Sequence, residues 1–197
     1  MTWTHTPRGR ALDLLDPQPE DIDLDEIAAA LGRQCRYAGN IRGFYSVAEH
    51  SVLICQWLLE ATRDPALALA GLLHDAAEAY TGDITYPMQS VLWYGDDEAS
   101  RVVRRRYRDV QRRLDLLITA RVDLDPELLH CAAVKTADLR ILLDERRALL
   151  TEPPPRPWMV ESELGLSPLG VQIQGWQPDH AAARFRAVLQ LVRGVRP

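Results

Sequence analysis

The sequence predicts an all-α fold of several helices packed as a bundle. Helix-capping signals recur ahead of apolar residues at helical spacing, helical segments outweigh everything else, and no internal repeat is visible. At 197 residues the chain suits one domain, spanning 1–197, with a sizeable core. Hydrophobic residues make up 47% and charged residues 26%, the balance of an ordinary globular protein. Asp64, His74 and Asp75 interrupt the best apolar run, so no membrane partner is expected. MTWTHTPRGR lacks the apolar core of a secretion signal, and Cys35, Cys55 and Cys131 are odd in number and far apart. Reduced thiols in a cytoplasmic protein follow. A net charge of −5 argues against nucleic acid as a primary partner.

Residues 1–23, rich in Pro, Asp and Arg, read as an irregular arm that docks because Leu12, Leu14 and Leu15 need cover. Asp25 to Leu31 is a short helix that Gly32 can close as a C-cap. CRYAGNIRGFY, 35–45, with two Gly and an Asn, reads as a loop or short extended segment. Ser46 to Glu49 gives S-x-x-E, a capping box, and Val47, Ile54, Leu58 and Ala61 follow at helical spacing with Leu53 and Trp57 beside them. Asp64-Pro65 opens a second, largely apolar helix that Thr81-Gly82 closes. Residues 84–95 read as a loop with a turn of helix. Asp96 and Asp97 cap a long helix to about Ala120, whose apolar members are Val102, Val103, Val110, Leu114, Leu117 and Ile118. Asp125-Pro126 opens another to about Leu150, and Pro153 to Pro157 forms a stiff Pro-rich loop. The alternation of Val171 and Ile173 allows a brief strand, and Pro178 begins a last helix.

The chain is organised around LLHDAAEAYTGDI, 72–84. On a continuous helix His74 and Glu78 share a face, with Asp75 flanking them. An imidazole and two carboxylates at the end of so apolar a helix must be paired, hydrogen-bonded or bound to metal. His50, in the first turn of the capped helix, and Asp138, in the middle of AAVKTADLRILL, complete a set of two His and two Asp. Such N and O donors suit one divalent ion among Mn, Co, Mg, Ni, Fe and Zn. Taken singly, each has a plainer reading: a backbone-bonded helix-start histidine for His50, a structural ion pair for His74-Asp75, and neutralisation of Arg140 or Lys135 for Asp138.

The order VAEHS, HDAAEAYTGDI, VKTAD resembles the HD superfamily of metal-dependent phosphohydrolases, and more closely its bacterial 5′-deoxynucleotidases. The resemblance covers about 36–150 and tips the balance to the metal reading. It implies a helical HD domain in which His50, His74, Asp75 and Asp138 hold one divalent metal. It further implies that Arg36 contacts phosphate and that Tyr37 stands where an aromatic ring packs by the nucleoside. Glu78 and Asp83 are the candidate acid and base, their order left open, and Lys135 is a candidate second cation on the substrate. Gly9-Arg10 and the Pro-rich C-terminal third instead resemble phage and bacterial HD phosphohydrolases, some acting on nucleoside triphosphates including dATP.

The expected function is therefore removal of phosphate from deoxynucleoside 5′-monophosphates by a cytoplasmic homodimer. A nucleoside triphosphate hydrolase is the close rival, and a non-catalytic nucleotide or metal sensor the rival of another class. The seven arginines between Arg101 and Arg113 suggest a nucleic-acid stripe, but neighbouring Asp and Glu favour a solvated or dimer-facing helix. His5, His130 and His180 have no companion at ligand spacing, and Trp57 and Trp176 read as core.

Overall fold

In the computed structural model, which describes residues 1–93, 97–150, 158, 160 and 164–194, helices carry the chain as expected. The arm is the first departure. Trp3–His5 (β1) and Ala11–Asp13 (β2) pair antiparallel, with Thr4 opposite Leu12. The turn between them uses Gly9 at φ +80°, a conformation open to glycine. The arm is therefore a small hairpin rather than irregular, and Leu12 is fully buried beneath it. Glu26 docks it: one buried carboxylate accepts from Thr6 Oγ1 at 3.0 Å, Arg8 N at 2.9 Å and Arg10 at 2.7 Å.

Asp23 caps α1 (Leu24–Arg33) by accepting from the Asp25 and Glu26 amides. Gly32 lies inside this helix, not at a C-cap. A Cβ there would stand 2.6 Å from the Pro178 carbonyl oxygen, so glycine is needed for close approach of the last helix. Gly32→Ala is expected to cost roughly 1–3 kcal/mol, because backbone rather than a yielding side chain must move. Urea unfolding would show it as a lower midpoint at unchanged slope.

Ser46 accepts from the Glu49 amide at 3.1 Å and starts α2 (Val47–Thr62). The reciprocal half of the predicted capping box does not form. Glu49 instead receives the Gln174, Gly175 and Trp176 amides at 2.7, 3.0 and 2.6 Å, which fastens the C-terminal segment beside His50. Asp64 caps α3 (Pro65–Leu73) as expected, but that helix stops at Leu73, not Thr81. Beyond it the backbone tightens: Ala76 N bonds Leu73 O, Glu78 N bonds Asp75 O, and Ala79 N bonds Ala76 O, all three residues apart. A single turn, α4 (Glu78–Thr81), ends at Gly82.

The loop expected after it contains α5 (Tyr86–Leu92). Asp97 caps α6 (Glu98–Ala120), while Asp96 lies outside the described residues. Leu114 and Ile118 enter the core, but Val102 and Val103 are exposed, because the first half of α6 extends past the helices that would cover it. The helix expected from Asp125 is two pieces. Residues Pro126–His130 form a 3-10 turn capped by Asp125, and α7 (Ala132–Leu149) begins after a break at Cys131.

Pro153 to Pro157 lie outside the described residues. No strand forms among the described residues of 158–176. Residues 164–177 run without regular structure, held where Asp144 accepts from Leu169 N at 2.7 Å and Gly170 N at 3.1 Å. The last helix, α8 (Pro178–Gly194), buries Ala181, Phe185, Val188 and Val192 against α1, α2 and α3. The apolar pair α2–α3 is thus the centre of the molecule, with α1 and α8 packed on it and α7 closing another side. No helix among the described residues is long and apolar enough to cross a membrane.

Candidate metal centre

The site assembles where α2, the end of α3 and α7 meet. Ser46 sets the first turn of α2 and so the height of His50, whose side chain is fully buried. His74 is the C-cap residue just past the end of α3, and the tight turn after it places Asp75 beside it. Asp138 comes from the second turn of α7 and is the most exposed of the four, at 38%.

Each imidazole has its tautomer fixed from behind. His74 Nδ1 lies 2.9 Å from the Gly71 carbonyl, which can only accept, so that nitrogen carries the proton. His50 Nδ1 lies 2.6 Å from Glu145 Oε1, and Glu145 is held below the usual carboxylate range by Arg36 and His50 against the opposing effect of its burial. Both Nε2 atoms are thereby turned to the same point, and neither has a hydrogen-bond partner although both are buried. Around that point Asp138 Oδ1 stands 3.2 Å from His50 Nε2 and 3.8 Å from His74 Nε2. Asp75 Oδ2 stands 3.2 Å from His74 Nε2 and 3.7 Å from His50 Nε2.

A divalent ion bound at about 2.0–2.2 Å requires neighbouring donors roughly 3.0–3.6 Å apart. The 3.2 Å pairs, His50–Asp138 and His74–Asp75, meet that spacing and the 3.7 and 3.8 Å pairs lie just outside it, and two orphaned buried imidazole nitrogens are what an ion would satisfy. His50, His74 and Asp75 form a group able to hold a metal ion, the one such group of three or more among the described residues. Burial disfavours the His74 imidazolium, yet Asp75 and Asp138 hold its pKa well above the ordinary histidine value. Burial likewise opposes ionisation of Asp138, and the two imidazoles keep it well below the usual range.

The predicted substrate and catalytic residues surround this cluster with differing commitments. Arg36 is half-buried; against the desolvation this brings, Glu145 and Asp75, each with an oxygen 3.5 Å from its guanidinium, keep it charged. Tyr37 donates its hydroxyl to Glu145 and turns its ring to a cleft. Glu78 does not stand over His74 as a continuous helix would have it. The three-residue spacing of the turn aligns it with Asp75. Burial, with Asp75 and Asp83 adding their charges, lifts its carboxyl to about 10, so it carries a proton at neutral pH. Burial also raises Asp83. Lys135 is exposed, away from Arg36.

Two clefts open onto the cluster, and Asp75, Glu78 and Asp138 line both. The first, about 520 Å³, is walled by Arg36, Tyr37, Asp83, Leu139, Leu142 and Trp158. The second, about 720 Å³, is walled by Arg108, Arg112, His130 and Lys135 together with Asp109, Asp115 and Glu127. His130 does have a companion: its Nε2 lies 3.0 Å from Asp115 of α6, a pairing that no local spacing announces.

Glu145 is the residue that sequence reasoning missed. It is fully buried and holds His50, Tyr37 and Arg36 at once. A signal existed, for Glu145 follows Asp138 by seven residues, two turns along the same face of α7.

No model of a known protein family matches the chain. It is 35% identical over 149 residues to the uncharacterized protein YfdR of Escherichia coli K12, covering 76% of this chain and 73% of that one. The chain belongs to the YfdR family. A second relative, the uncharacterized protein RCAP_rcc00048 of Rhodobacter capsulatus, is 39% identical over 115 residues, 53% of this chain and 58% of its own length. This YfdR-family chain thus carries a two-His, two-Asp cluster between two clefts, with a proton-bearing Glu78 beside it.

Proposed function

We propose that the chain is an HD-type phosphohydrolase that uses one divalent metal ion to hydrolyse nucleotides, with deoxynucleoside 5′-monophosphates as its first substrates. The observation that carries this reading is the convergence of two orphaned, tautomer-fixed Nε2 atoms with Asp75 and Asp138 at the foot of a cleft. The HD resemblance of the three sequence segments supports it independently.

The reaction converts R–O–PO₃²⁻ and water to R–OH and HPO₄²⁻. A bound divalent ion would supply an acidified water and neutralise phosphoryl charge, with His50, His74, Asp75 and Asp138 as its holders. Arg36, kept charged and rigid by Glu145 and Asp75, presents a planar guanidinium to phosphate oxygens at the cleft. Glu78 bears a proton next to the reacting centre, which suits delivery to the leaving oxygen, and Asp83 is the second acid/base group. Glu78→Gln is expected to lower turnover by about 10²–10⁴-fold while metal still binds. Steady-state rates beside a metal titration check this; equal loss of both would make Glu78 structural instead.

The second cleft favours a triphosphate reading, since Arg108, Arg112 and Lys135 line a space continuous with the cluster. Phosphate release measured across dNMPs, NMPs and dNTPs with Mg²⁺, Mn²⁺ and Co²⁺ decides between the two. Orthophosphate from monophosphates supports the first reading, and triphosphate from dNTPs the second. Metal binding without turnover of any would leave the sensor.

A further inference from the structure

Helix α5 stands between the two clefts, yet little holds it there. None of its seven residues is buried, and Tyr86, Met88 and Val91 are more than half exposed. Isolated helices shorter than about 12–15 residues are marginal in water, so α5 depends on the contacts at its ends. At one end is Gly82, at φ +82°, where an added Cβ would meet nothing within 4 Å, so the chain is free to turn at that joint. At the other, Arg104 of α6 donates to the Trp93 carbonyl at 2.8 Å, and the Trp93 ring lies 5.6 Å from that of Tyr107. One end pivots and the other is latched to α6.

The position of α5 is nevertheless central. Gln89, half-buried, lines both clefts together with Asp75, Glu78 and Asp138. Tyr86 and Pro87 line the first cleft, and Trp93 lines the second. The Gln89 side-chain amide donates to the Ile84 carbonyl, 2.8 Å away at the root of the helix. Exchanging that local bond for one to a charged phosphate oxygen replaces a neutral hydrogen bond with a stronger one.

Resting on the hydrolase reading, we propose that α5 is a lid that closes over a phosphate group held at the cluster, with Gln89 as its contact to that phosphate. Closure excludes bulk water from a centre whose fixed charges act most strongly when dry. Opening at Gly82 joins the two clefts for entry and release. The buried helices α2 and α3 do not take part, and so serve as an internal reference.

The test is hydrogen–deuterium exchange, read by mass spectrometry on the full chain alone, with Mn²⁺, and with Mn²⁺ plus orthophosphate. Orthophosphate is the product of the proposed reaction and is not consumed. In the free protein the amides of 86–93 are expected to exchange about 100-fold or more faster than those of α2 and α3. Mn²⁺ with orthophosphate should slow them about tenfold, and Mn²⁺ alone far less. Gln89→Ala should leave the free rates unchanged and lose most of the protection. Gln89→Glu, which sets a negative charge toward the phosphate, should lose all of it. Either variant protected like wild type removes the Gln89 contact. Exchange over 86–93 as slow as in α2 and α3 in the free protein makes α5 a fixed wall and overturns the lid. Rates unmoved by Mn²⁺ and orthophosphate, in a protein that does hydrolyse monophosphates, overturn the lid and leave the hydrolase standing. Protection in a protein that releases no phosphate from any nucleotide upholds the lid and ends the hydrolase reading; absent protection and absent turnover end both.

Discussion

Asp138→Ala is expected to remove phosphate release by about 10³-fold or more, and with it the response of the protein to metal. In the proposed reading the carboxylate is one of four donors; it is the most exposed of them, at a cleft where a substrate oxygen could enter. Losing a donor and its charge forfeits several kcal/mol of metal-derived stabilisation, and each 1.4 kcal/mol or so is tenfold in rate. A second readout is independent of turnover. Ligand binding to the folded state raises stability by about 2.7 kcal/mol at a hundred times Kd. Wild type should therefore melt higher with added Mn²⁺ or Co²⁺, and Asp138→Ala should not. The sign with pH is also fixed. A metal must displace the proton that Asp75 and Asp138 hold on His74, whose pKa stands well above the ordinary value. Metal affinity should therefore weaken as pH falls, and uptake near neutrality should release protons, measurable in buffers of different ionisation enthalpy. In Asp138→Ala one cause of that elevation is gone, so proton release should shrink. A variant that binds metal and turns over like wild type would remove Asp138 from the site.

The parts of this molecule legible in sequence are those where a local signal has one physical meaning. Asp23, Ser46, Asp64 and Asp97 cap helices because a short oxygen-bearing side chain in front of an apolar stripe has little else to do. For His50, His74, Asp75 and Asp138 the need of ionisable groups on apolar helices for partners left plainer readings open, and the resemblance of VAEHS, HDAAEAYTGDI and VKTAD joined them into one set; the structure brings all four together. What escaped reading depends on tertiary partners. Glu49 satisfies half a capping box, but its carboxylate is drawn to three amides of a segment 125 residues away. Gly32 looks like a helix stop until the backbone of Pro178 is seen against it. The break after Leu73 left no mark in LLHDAAEAY, where alanines favour a continuous helix. Yet that break turns Glu78 from His74 toward Asp75, whose charge adds to burial in raising its carboxyl.

Glu145 gives the second large effect, through groups it touches rather than through the reaction itself. Its two oxygens are shared among His50 Nδ1, the Tyr37 hydroxyl and the Arg36 guanidinium, all withdrawn from water. Replacing it by leucine leaves a half-buried guanidinium, a buried imidazole N–H and a hydroxyl to find other acceptors, and breaking a buried charge network costs about 3–5 kcal/mol. Against a typical total of roughly 5–15 kcal/mol, Glu145→Leu should unfold at far lower urea than wild type. Glu145→Gln keeps the volume and one acceptor but turns donors toward donors. It should fold, and should weaken metal binding about 10–100-fold by loosening His50, as loss of a group behind a metal ligand does. The acid limb adds a check. Glu145 is depressed below the ordinary carboxylate range, so its stabilisation is present above the unfolded value of about 4.3 and is lost as pH falls through the lower folded value. The glutamine variant should therefore lose less stability than wild type over that window. Metal affinity within twofold of wild type, with an unchanged acid limb, would reduce Glu145 to a filler of space. The expected outcome instead makes one buried carboxylate the link between His50, Arg36 and Tyr37.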